Sequence, residues 1–154
     1  MDVVIFIGLQ GASKSTFYRT YFAGTHVHIS KDNFRTANNR ERRQQKLLRD
    51  ALEQGVSVVV DNTNPSVATR VPVLQLGKEF GARMIGYYFQ PALAACLERN
   101  RRREGAARVP DIALFTTLKR LEPPSHAEGF DQLFSVRLDE QGSFTIVEWN
   151  EMMA

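Results

Sequence analysis

The sequence contains a single cysteine and no long apolar run. Cys96, alone among 154 residues, excludes an internal disulfide bond and a cysteine-built zinc site, and it is consistent with a reducing compartment. No stretch of about 18 apolar residues exists, so the sequence predicts no transmembrane helix. The N-terminal "MDVVIFIGLQG" has an acidic residue where a secretory signal has basic ones, and its apolar run is short. We therefore expect a cytoplasmic protein with no membrane partner.

Acidic residues are fewer than basic ones. The chain has 20 Lys and Arg against 17 Asp and Glu, a formal charge of +3, and most of the basic residues are arginine. The planar guanidinium group matches phosphate oxygens, so this balance is compatible with phosphorylated or nucleic-acid partners. A few surplus surface arginines explain the charge equally well. At 43% hydrophobic and 24% charged residues, the chain is expected to form one globular domain, residues 1–154.

Short apolar runs alternate with segments of helix length. The runs are nearly continuous, as is typical of strands covered on both faces, and they span residues 3–7, 27–29, 56–60 and 84–89. Helices are expected after the first run, at 38–55, following Pro65, at about 91–103 and from near Pro110. Two further strands, 133–138 and 144–147, flank the turn "DEQGS". This alternation predicts an α/β fold with a parallel sheet.

The stretch "GLQGASKST" follows the first apolar run and has the length of a phosphate-binding loop. It matches the pattern G-x-x-x-x-G-K-S/T from Gly8 to Ser15, except that Ser13 replaces the second glycine. Backbone N–H groups and the following helix dipole would converge on phosphate oxygens, with Lys14 on the β and γ phosphates and Ser15 on Mg²⁺. Ser13 is accommodated if it has helical φ and ψ, at a cost in nucleotide affinity. The alternative is a glycine-rich turn that binds nothing.

A carboxylate ends the buried run of "VVVDNTNP". Asp61 lies where parallel sheets bind ligands, and it can hold the water shell of Mg²⁺ beside Ser15. The same letters also describe a turn in which Asn64 caps a helix that starts at Pro65. Both interpretations are compatible. The three histidines lack metal-ligand spacing and are interpreted as strand and loop residues.

Two further pairs of charged residues point to phosphate chemistry. In "SKDNFR", Asp32 and Arg35 share a face of a helical turn, so a proton acceptor would lie beside an anion-binding group. An Asp N-cap and a solvated arginine form the alternative. Arg99 and Arg103 are four residues apart and would make two polyphosphate contacts from one helix face, although a solvated helix end also fits. Gly105 and the alanines after it predict a mobile, arginine-bearing lid.

Taken in order, these segments resemble the 5′-kinase domain of polynucleotide kinases, a branch of the P-loop kinases. The similarity extends over most of the chain and includes "GLQGASKSTF", "SKDNFR", "VVVDNTNP", "ERNRRR", "RVP" and "EPPSHAEGFDQLF". The "DNTNP" after a strand, and "ERN" followed by an arginine three residues on, are the more specific pieces. The resemblance implies a parallel sheet of order 2-3-1-4-5 with helices on both faces and a helical lid at about 99–109.

The resemblance also implies roles for individual residues. Asp32 would be the general base on the acceptor hydroxyl, Arg35 would hold the acceptor's neighbouring phosphate, and Arg103 would meet the γ-phosphate. Asn62 and Asn64 are expected beside the acceptor. The nucleotide site would comprise Gly8, Gly11, Ala12, Ser13, Lys14, Ser15, Thr16, Arg99 and Arg103, and the metal site would comprise Ser15 and Asp61. Lys14, Asp32 and Arg103 are the expected catalytic residues.

These observations predict transfer of the γ-phosphate of ATP, or another NTP, to the 5′-hydroxyl of RNA or DNA with Mg²⁺. One alternative is a kinase for a small alcohol such as a nucleoside, against which the arginine-rich stretch argues weakly. The other is a nucleotide-dependent switch that binds RNA or protein, which would need no base and anion clamp. Because the chain is short and lacks the D-x-D-x-T pattern of a phosphatase, we expect any phosphatase or ligase to be a separate partner.

Overall fold

The structure, a computed structural model, describes residues 1–153. The six strands are β1 Asp2–Ile7, β2 Val27–Ile29, β3 Val58–Asp61, β4 Arg83–Phe89, β5 Gln132–Leu138 and β6 Phe144–Glu148. They form one sheet in the order β2-β3-β1-β4-β5-β6, in which the first five are parallel and β6 is antiparallel to β5. The predicted order 2-3-1-4-5 is confirmed, and β6 extends it at the β5 edge, which the predicted order did not include.

Five helices cover the two faces of this sheet. They are α1 Lys14–Tyr21, α2 Arg40–Glu53, α3 Val67–Glu79, α4 Leu93–Arg102 and α5 Asp111–Arg120. Side chains alternate along a strand, so Val3 and Ile5 of β1 contact the core under α2 and α3, whereas Val4 and Phe6 contact the core under α1, α4 and α5. The prediction of helices on both faces is therefore confirmed. Among residues 1–153, no helix has the length and hydropathy needed to cross a membrane.

The expected helix start at Pro65 is wrong. α3 begins at Val67, and the hydroxyl of Ser66 caps it by accepting from the N–H of Thr69. Asn64 instead has a left-handed backbone, with φ 43°, and its Nδ2 donates to the carbonyl of Phe6 at 2.7 Å. Because the Asn64 amide binds the end of β1, Ser66, two residues later, caps the helix instead.

A buried ion pair fixes the loop that follows β3. The side chain of Arg70, on α3, is fully buried and makes two hydrogen bonds of 2.8 and 3.0 Å to the carboxylate of Glu128. The same guanidinium donates to the carbonyl of Asn64 at 2.9 Å. Removing either charge would leave the other buried without a partner, which costs about 3–5 kcal/mol. Arg70 thereby fixes the backbone at Asn64.

Candidate active site

A cavity of about 520 Å³ opens at the C-terminal ends of β1, β2 and β3. Five segments of the chain line it: the phosphate loop after β1, the turn after β2, the start of α2, the loop after β3, and the segment after α4. Thr69 of α3 and Arg120 of α5 also line it. Crevices at the carboxyl ends of parallel strands are where open α/β sheets bind their ligands. The topology therefore brings segments from most of the length of the chain to one site.

The phosphate loop forms a tight turn against β4 and α4. Gly11 has φ 79°, and a Cβ atom there would lie 2.5 Å from the carbonyl oxygen of Cys96, so both conformation and space require glycine. At Gly8, a Cβ atom would lie 2.8 Å from that of Phe89. Neither Gly8 nor Thr16 lines the cavity, and Thr16 is exposed, with its hydroxyl accepting from Arg19. Gly11 to Ser15 form the cavity wall.

The backbone of Ser13 differs from the expected helical conformation. Its φ of 66° and ψ of 32° are left-handed, and it serves as the N-cap of α1 without a side-chain cap bond. An L-residue in this conformation costs roughly 1–2 kcal/mol, whereas glycine adopts it freely. The expectation of helical φ and ψ is wrong because the loop must reverse direction immediately before the helix. Ser13 adopts the left-handed conformation that the loop needs, although glycine at this position would be less strained.

The side chain of Lys14 turns back onto its own loop. Its Nζ donates to the carbonyls of Gly8 and Leu9 at 3.0 and 2.7 Å. Burial lowers the pKa of Lys14 from 10.5 to about 8, and the nearby Asp61 opposes that shift while Arg103 adds to it. A bound polyphosphate would place negative charge beside this amine and so favour its charged form.

The two predicted metal ligands are in direct contact. The Ser15 hydroxyl donates to Oδ2 of Asp61 at 2.9 Å, and Asp61 is almost fully buried. Carboxylate and hydroxyl oxygens fit Mg²⁺, which usually keeps several waters and completes its shell with substrate phosphates. Among residues 1–153, no group of three or more His, Cys, Asp and Glu side chains is arranged for a metal, so Mg²⁺ would rely on these two side chains, waters and phosphate.

A histidine that the sequence analysis interpreted as a simple strand residue contacts this pair. Nε2 of His28, on β2, lies 2.7 Å from the same Oδ2 of Asp61 and donates to it. The ring stacks on Tyr18 of α1, with centroids 4.1 Å apart. His28 therefore helps to orient Asp61. The resemblance placed β2 beside β3, but sequence reasoning missed the contact because the sequence pattern does not show which side chains meet across two neighbouring strands.

Asp32 and Arg35 lie on the same cavity as Lys14. Asp32 is in a 3-10 turn over Lys31–Phe34 and is exposed, and Nη2 of Arg35 is 3.5 Å from its Oδ1. The alternative of Asp32 as a helix cap is wrong, because the Ser30 hydroxyl takes that place by accepting from the N–H of Asp32 at 3.3 Å. Arg35 also donates to the carbonyl of Ala106, in the segment after α4.

The two predicted lid arginines do not share a helix face. Arg99 donates to the carbonyl of Gly11 and does not line the cavity. Arg103 follows the end of α4 with an extended backbone, ψ 151°, and does line it. The helix ends here because the buried side chain of Asn100 makes two hydrogen bonds, of 2.7 and 3.0 Å, to the backbone of Val109. This contact folds the segment 103–109 back over the site.

The two predicted asparagines line the cavity, with part of each amide bound to the protein. Asn62 accepts from the N–H of Lys31 at 2.9 Å and donates to Gln44 of α2 at 2.6 Å, while Asn64 bonds to β1 as described above. Two arginines that sequence reasoning did not select, Arg40 and Arg120, line the same cavity. Both lie at helix ends, where the sequence pattern indicates only solvated charge.

The sequence profile of the family described as an AAA domain matches residues 3–124. A putative bifunctional polynucleotide phosphatase/kinase of Acanthamoeba polyphaga mimivirus is 32% identical over 145 residues, which cover 88% of this chain and 33% of that protein. The bifunctional polynucleotide phosphatase/kinase of Schizosaccharomyces pombe is 24% identical over 139 residues, with the same coverage of 88% and 33%. The chain thus spans about a third of the length of these curated relatives.

Solved structures share the fold at low sequence identity. A fungal RNA kinase superposes with a TM-score of 0.67 at 17% identity, covering 90% of this chain and 39% of that one. Kti12 of Chaetomium thermophilum, in complex with ADP-AlF3, gives 0.68 at 17%, covering 91% and 92%. A gluconokinase from Sinorhizobium meliloti 1021 gives 0.63 at 18%, covering 90% and 83%.

Proposed function

We propose, from the premise that this chain belongs to the AAA domain family and has the P-loop kinase fold, that it is a polynucleotide 5′-hydroxyl kinase. The observation that carries the proposal is that one cavity is lined by a nucleotide loop with Lys14 and Ser15, and by Asp32 with Arg35. A donor half and an acceptor half therefore face a shared space. The curated relatives named polynucleotide phosphatase/kinase support nucleic acid as the acceptor.

The donor half would hold ATP by its phosphates. Loop amides and Lys14 would bind the β and γ phosphates, and Ser15 and Asp61 would hold Mg²⁺, which would neutralise charge on those phosphates. Arg103, which lines the same cavity, would contact the γ-phosphate, where its charge would stabilise the transition state more than the ground state. Segment 103–109, within the predicted lid, would limit the access of water.

The acceptor half would align and activate a hydroxyl group. The 5′-oxygen gives its proton to Asp32 and forms a bond to the γ-phosphorus, while the bond from that phosphorus to the β,γ-bridging oxygen breaks and ADP leaves. Asp32 lies in a turn at the cavity wall, so its carboxylate is accessible to an incoming hydroxyl. Arg35 would bind the phosphate on the 3′ side of the same nucleotide.

A small-alcohol kinase is the second candidate, because a gluconokinase shares this fold over 90% of the chain. The two candidates differ in what Arg35 does. A polynucleotide presents a phosphate next to the reactive hydroxyl, whereas a nucleoside or sugar does not. A nucleotide-dependent switch is less consistent with the site, because hydrolysis as a switch needs no carboxylate and guanidinium on the same cavity as the donor loop.

The decisive experiment offers γ-labelled ATP and Mg²⁺ with a 5′-hydroxyl oligonucleotide or the matching nucleoside. We expect label on the oligonucleotide and at most weak label on the nucleoside. Asp32→Asn should reduce transfer by about 10²-fold or more and leave ATP affinity unchanged, because asparagine keeps the shape but takes no proton. Asp50→Asn is the matched control, because Asp50 lies on α2 outside the cavity and, among residues 1–153, pairs only with Lys46.

The other outcomes separate the candidates. Equal labelling of nucleoside and oligonucleotide would replace the polynucleotide assignment with the small-alcohol kinase. Release of labelled phosphate with no labelled acceptor of either kind would favour the switch. A fully active Asp32→Asn variant would remove Asp32 from the role of base.

A further inference from the structure

Two guanidinium groups from different elements face the same carboxylate oxygen. Nη2 of Arg35 lies 3.5 Å from Oδ1 of Asp32, and Nη2 of Arg40 lies 4.0 Å from that atom. Arg35 follows the 3-10 turn after β2, and Arg40 is the first residue of α2. One negative charge therefore lies between two positive charges on the acceptor side of the cavity, which leaves this side able to bind further anions.

The two arginines differ in how firmly the protein holds them. The Nε of Arg35 donates to the carbonyl of Asp32 at 3.3 Å, and its Nη1 donates to that of Ala106. In the described part of the chain, the guanidinium of Arg40 has no hydrogen bond and no ion pair besides the one at 4.0 Å, and 43% of its side chain is exposed. Most donors of Arg40 are therefore free for a ligand.

The acidic residue that follows Arg40 in the sequence is already paired. Glu41 accepts from Lys31 across the rim of the cavity. The next residues of α2, Arg42 and Arg43, are also basic and exposed. The start of α2 therefore carries positive charge from the cavity rim towards solvent.

We propose that Arg40 binds a second phosphate of the acceptor strand, the one after the phosphate that Arg35 holds. The inference rests on the proposed function. A hydroxyl at Asp32 brings the first 3′ phosphate to the firmly held Arg35, and the strand then passes the rim, where Arg40 is free. Acceptors with two phosphates on the 3′ side of the hydroxyl therefore bind better than acceptors with one.

The test compares acceptors that differ by one phosphate. The probes are thymidine, thymidine 3′-monophosphate and the thymidine dinucleotide that carries a 3′-phosphate, each with labelled ATP and Mg²⁺. The proteins are the wild type, Arg40→Ala and Arg42→Ala. Arg42 is the matched control because it is an exposed arginine of the same helix that does not line the cavity.

We expect the wild type to have a lower KM for the dinucleotide than for the monophosphate. Arg40→Ala should raise the dinucleotide KM about three- to fivefold, as fits a partly exposed ion pair, and leave the monophosphate KM within about twofold. Dinucleotide binding by Arg40→Ala should release about one counterion fewer than binding by the wild type, so its affinity should depend less steeply on salt concentration. Arg42→Ala should leave both KM values unchanged.

Each remaining outcome has a distinct meaning. An equal rise in both KM values would assign Arg40 to the first phosphate and overturn the inference. Unchanged KM values for both acceptors in Arg40→Ala would make Arg40 a surface charge. If the wild type phosphorylates none of the three probes or a longer 5′-hydroxyl oligonucleotide, the proposed function fails, which is distinguishable from a failure of Arg40 alone.

Discussion

The hydroxyl of Ser15 lies 2.9 Å from Oδ2 of Asp61, although 46 residues separate them in the chain. This contact joins the phosphate loop to the end of β3, and His28 donates to the same oxygen from β2. Three strands of the sheet thus converge on one carboxylate. Both of these hydrogen bonds go to Oδ2 of Asp61, so Oδ1 remains for the water shell of a cation.

The Ser15 and Asp61 pair is expected to govern the Mg²⁺ requirement. Asp61→Asn should raise the Mg²⁺ concentration needed for half-maximal ATP affinity, because the neutral amide attracts a hydrated cation less. Ser15→Ala should do the same, and the double variant should lose less than the sum of the single losses because the groups are in contact. Calorimetric titration of ATP at varied Mg²⁺ measures this. With a chelator present, neither single variant should bind ATP more weakly than the wild type; an Mg²⁺ profile unchanged in Asp61→Asn would contradict the assignment.

Lys14 should make the stability of the free protein depend on pH. Burial sets the pKa of Lys14 at about 8 in the folded protein, against 10.5 as the ordinary value. Between these values the unfolded chain holds a proton that the folded protein has lost, so the free energy of unfolding rises with pH. The rise should reach about 3 kcal/mol relative to Lys14→Met, which has no such proton. Urea unfolding from pH 7 to 10.5 measures it, and parallel curves for the two proteins would refute it.

The same lowered pKa should couple nucleotide binding to proton uptake. At pH 9 most Lys14 side chains are neutral, since the pKa is about 8, and phosphate binding favours the charged form. We expect uptake of close to one proton at that pH and little at pH 6.5. Calorimetry of ATP binding in buffers of different ionisation enthalpy counts these protons. The same heat in every buffer at pH 9 would be incompatible with a neutral Lys14.

Ser13→Gly should stabilise the protein and tighten nucleotide binding. Glycine would remove the strain of the left-handed backbone, which has φ 66°. Part of this stabilisation is lost because glycine makes the unfolded chain more flexible. We expect a net increase of about 0.5–1 kcal/mol in the free energy of unfolding. Ser143→Gly is the control, because Ser143 is exposed and is not among the residues with positive φ. Destabilisation in Ser13→Gly would mean that the serine side chain has a stabilising contact.

Arg103→Ala should lower turnover far more than it weakens ATP binding. Arg103 lines the cavity, and its interaction with the phosphates should be strongest in the transition state, when charge shifts onto the leaving phosphate. A loss of about 10³-fold in turnover is therefore expected. Arg102→Ala is the control, because Arg102 is 73% exposed and pairs with Glu98 away from the cavity. Steady-state kinetics and ATP titration measure both effects. Turnover within about threefold of wild type would reduce Arg103 to surface charge.

Local patterns in the sequence were enough for the fold class. Buried apolar runs, helix-length spacers and the loop before Lys14 predicted an α/β fold, and the resemblance to P-loop kinases supplied the sheet order. The position of Asp61 at a strand end also followed from the sequence, because a carboxylate after a buried run lies at the ligand-binding edge of a parallel sheet. The fold class and the place of Asp61 depend on short-range periodicity, which the sequence displays directly.

Contacts between distant segments were decided by the tertiary structure alone. The link from His28 to Asp61 depends on the register of β2 against β3, and the separation of Arg99 from Arg103 depends on the hydrogen bonds between Asn100 and Val109. The left-handed conformation of Ser13 likewise depends on how the loop meets α1. The chain's residue types and spacing determined that a phosphate loop, a carboxylate and several arginines exist. The packing of the strands, and the positions at which the helices end, decided which of these groups face one cavity.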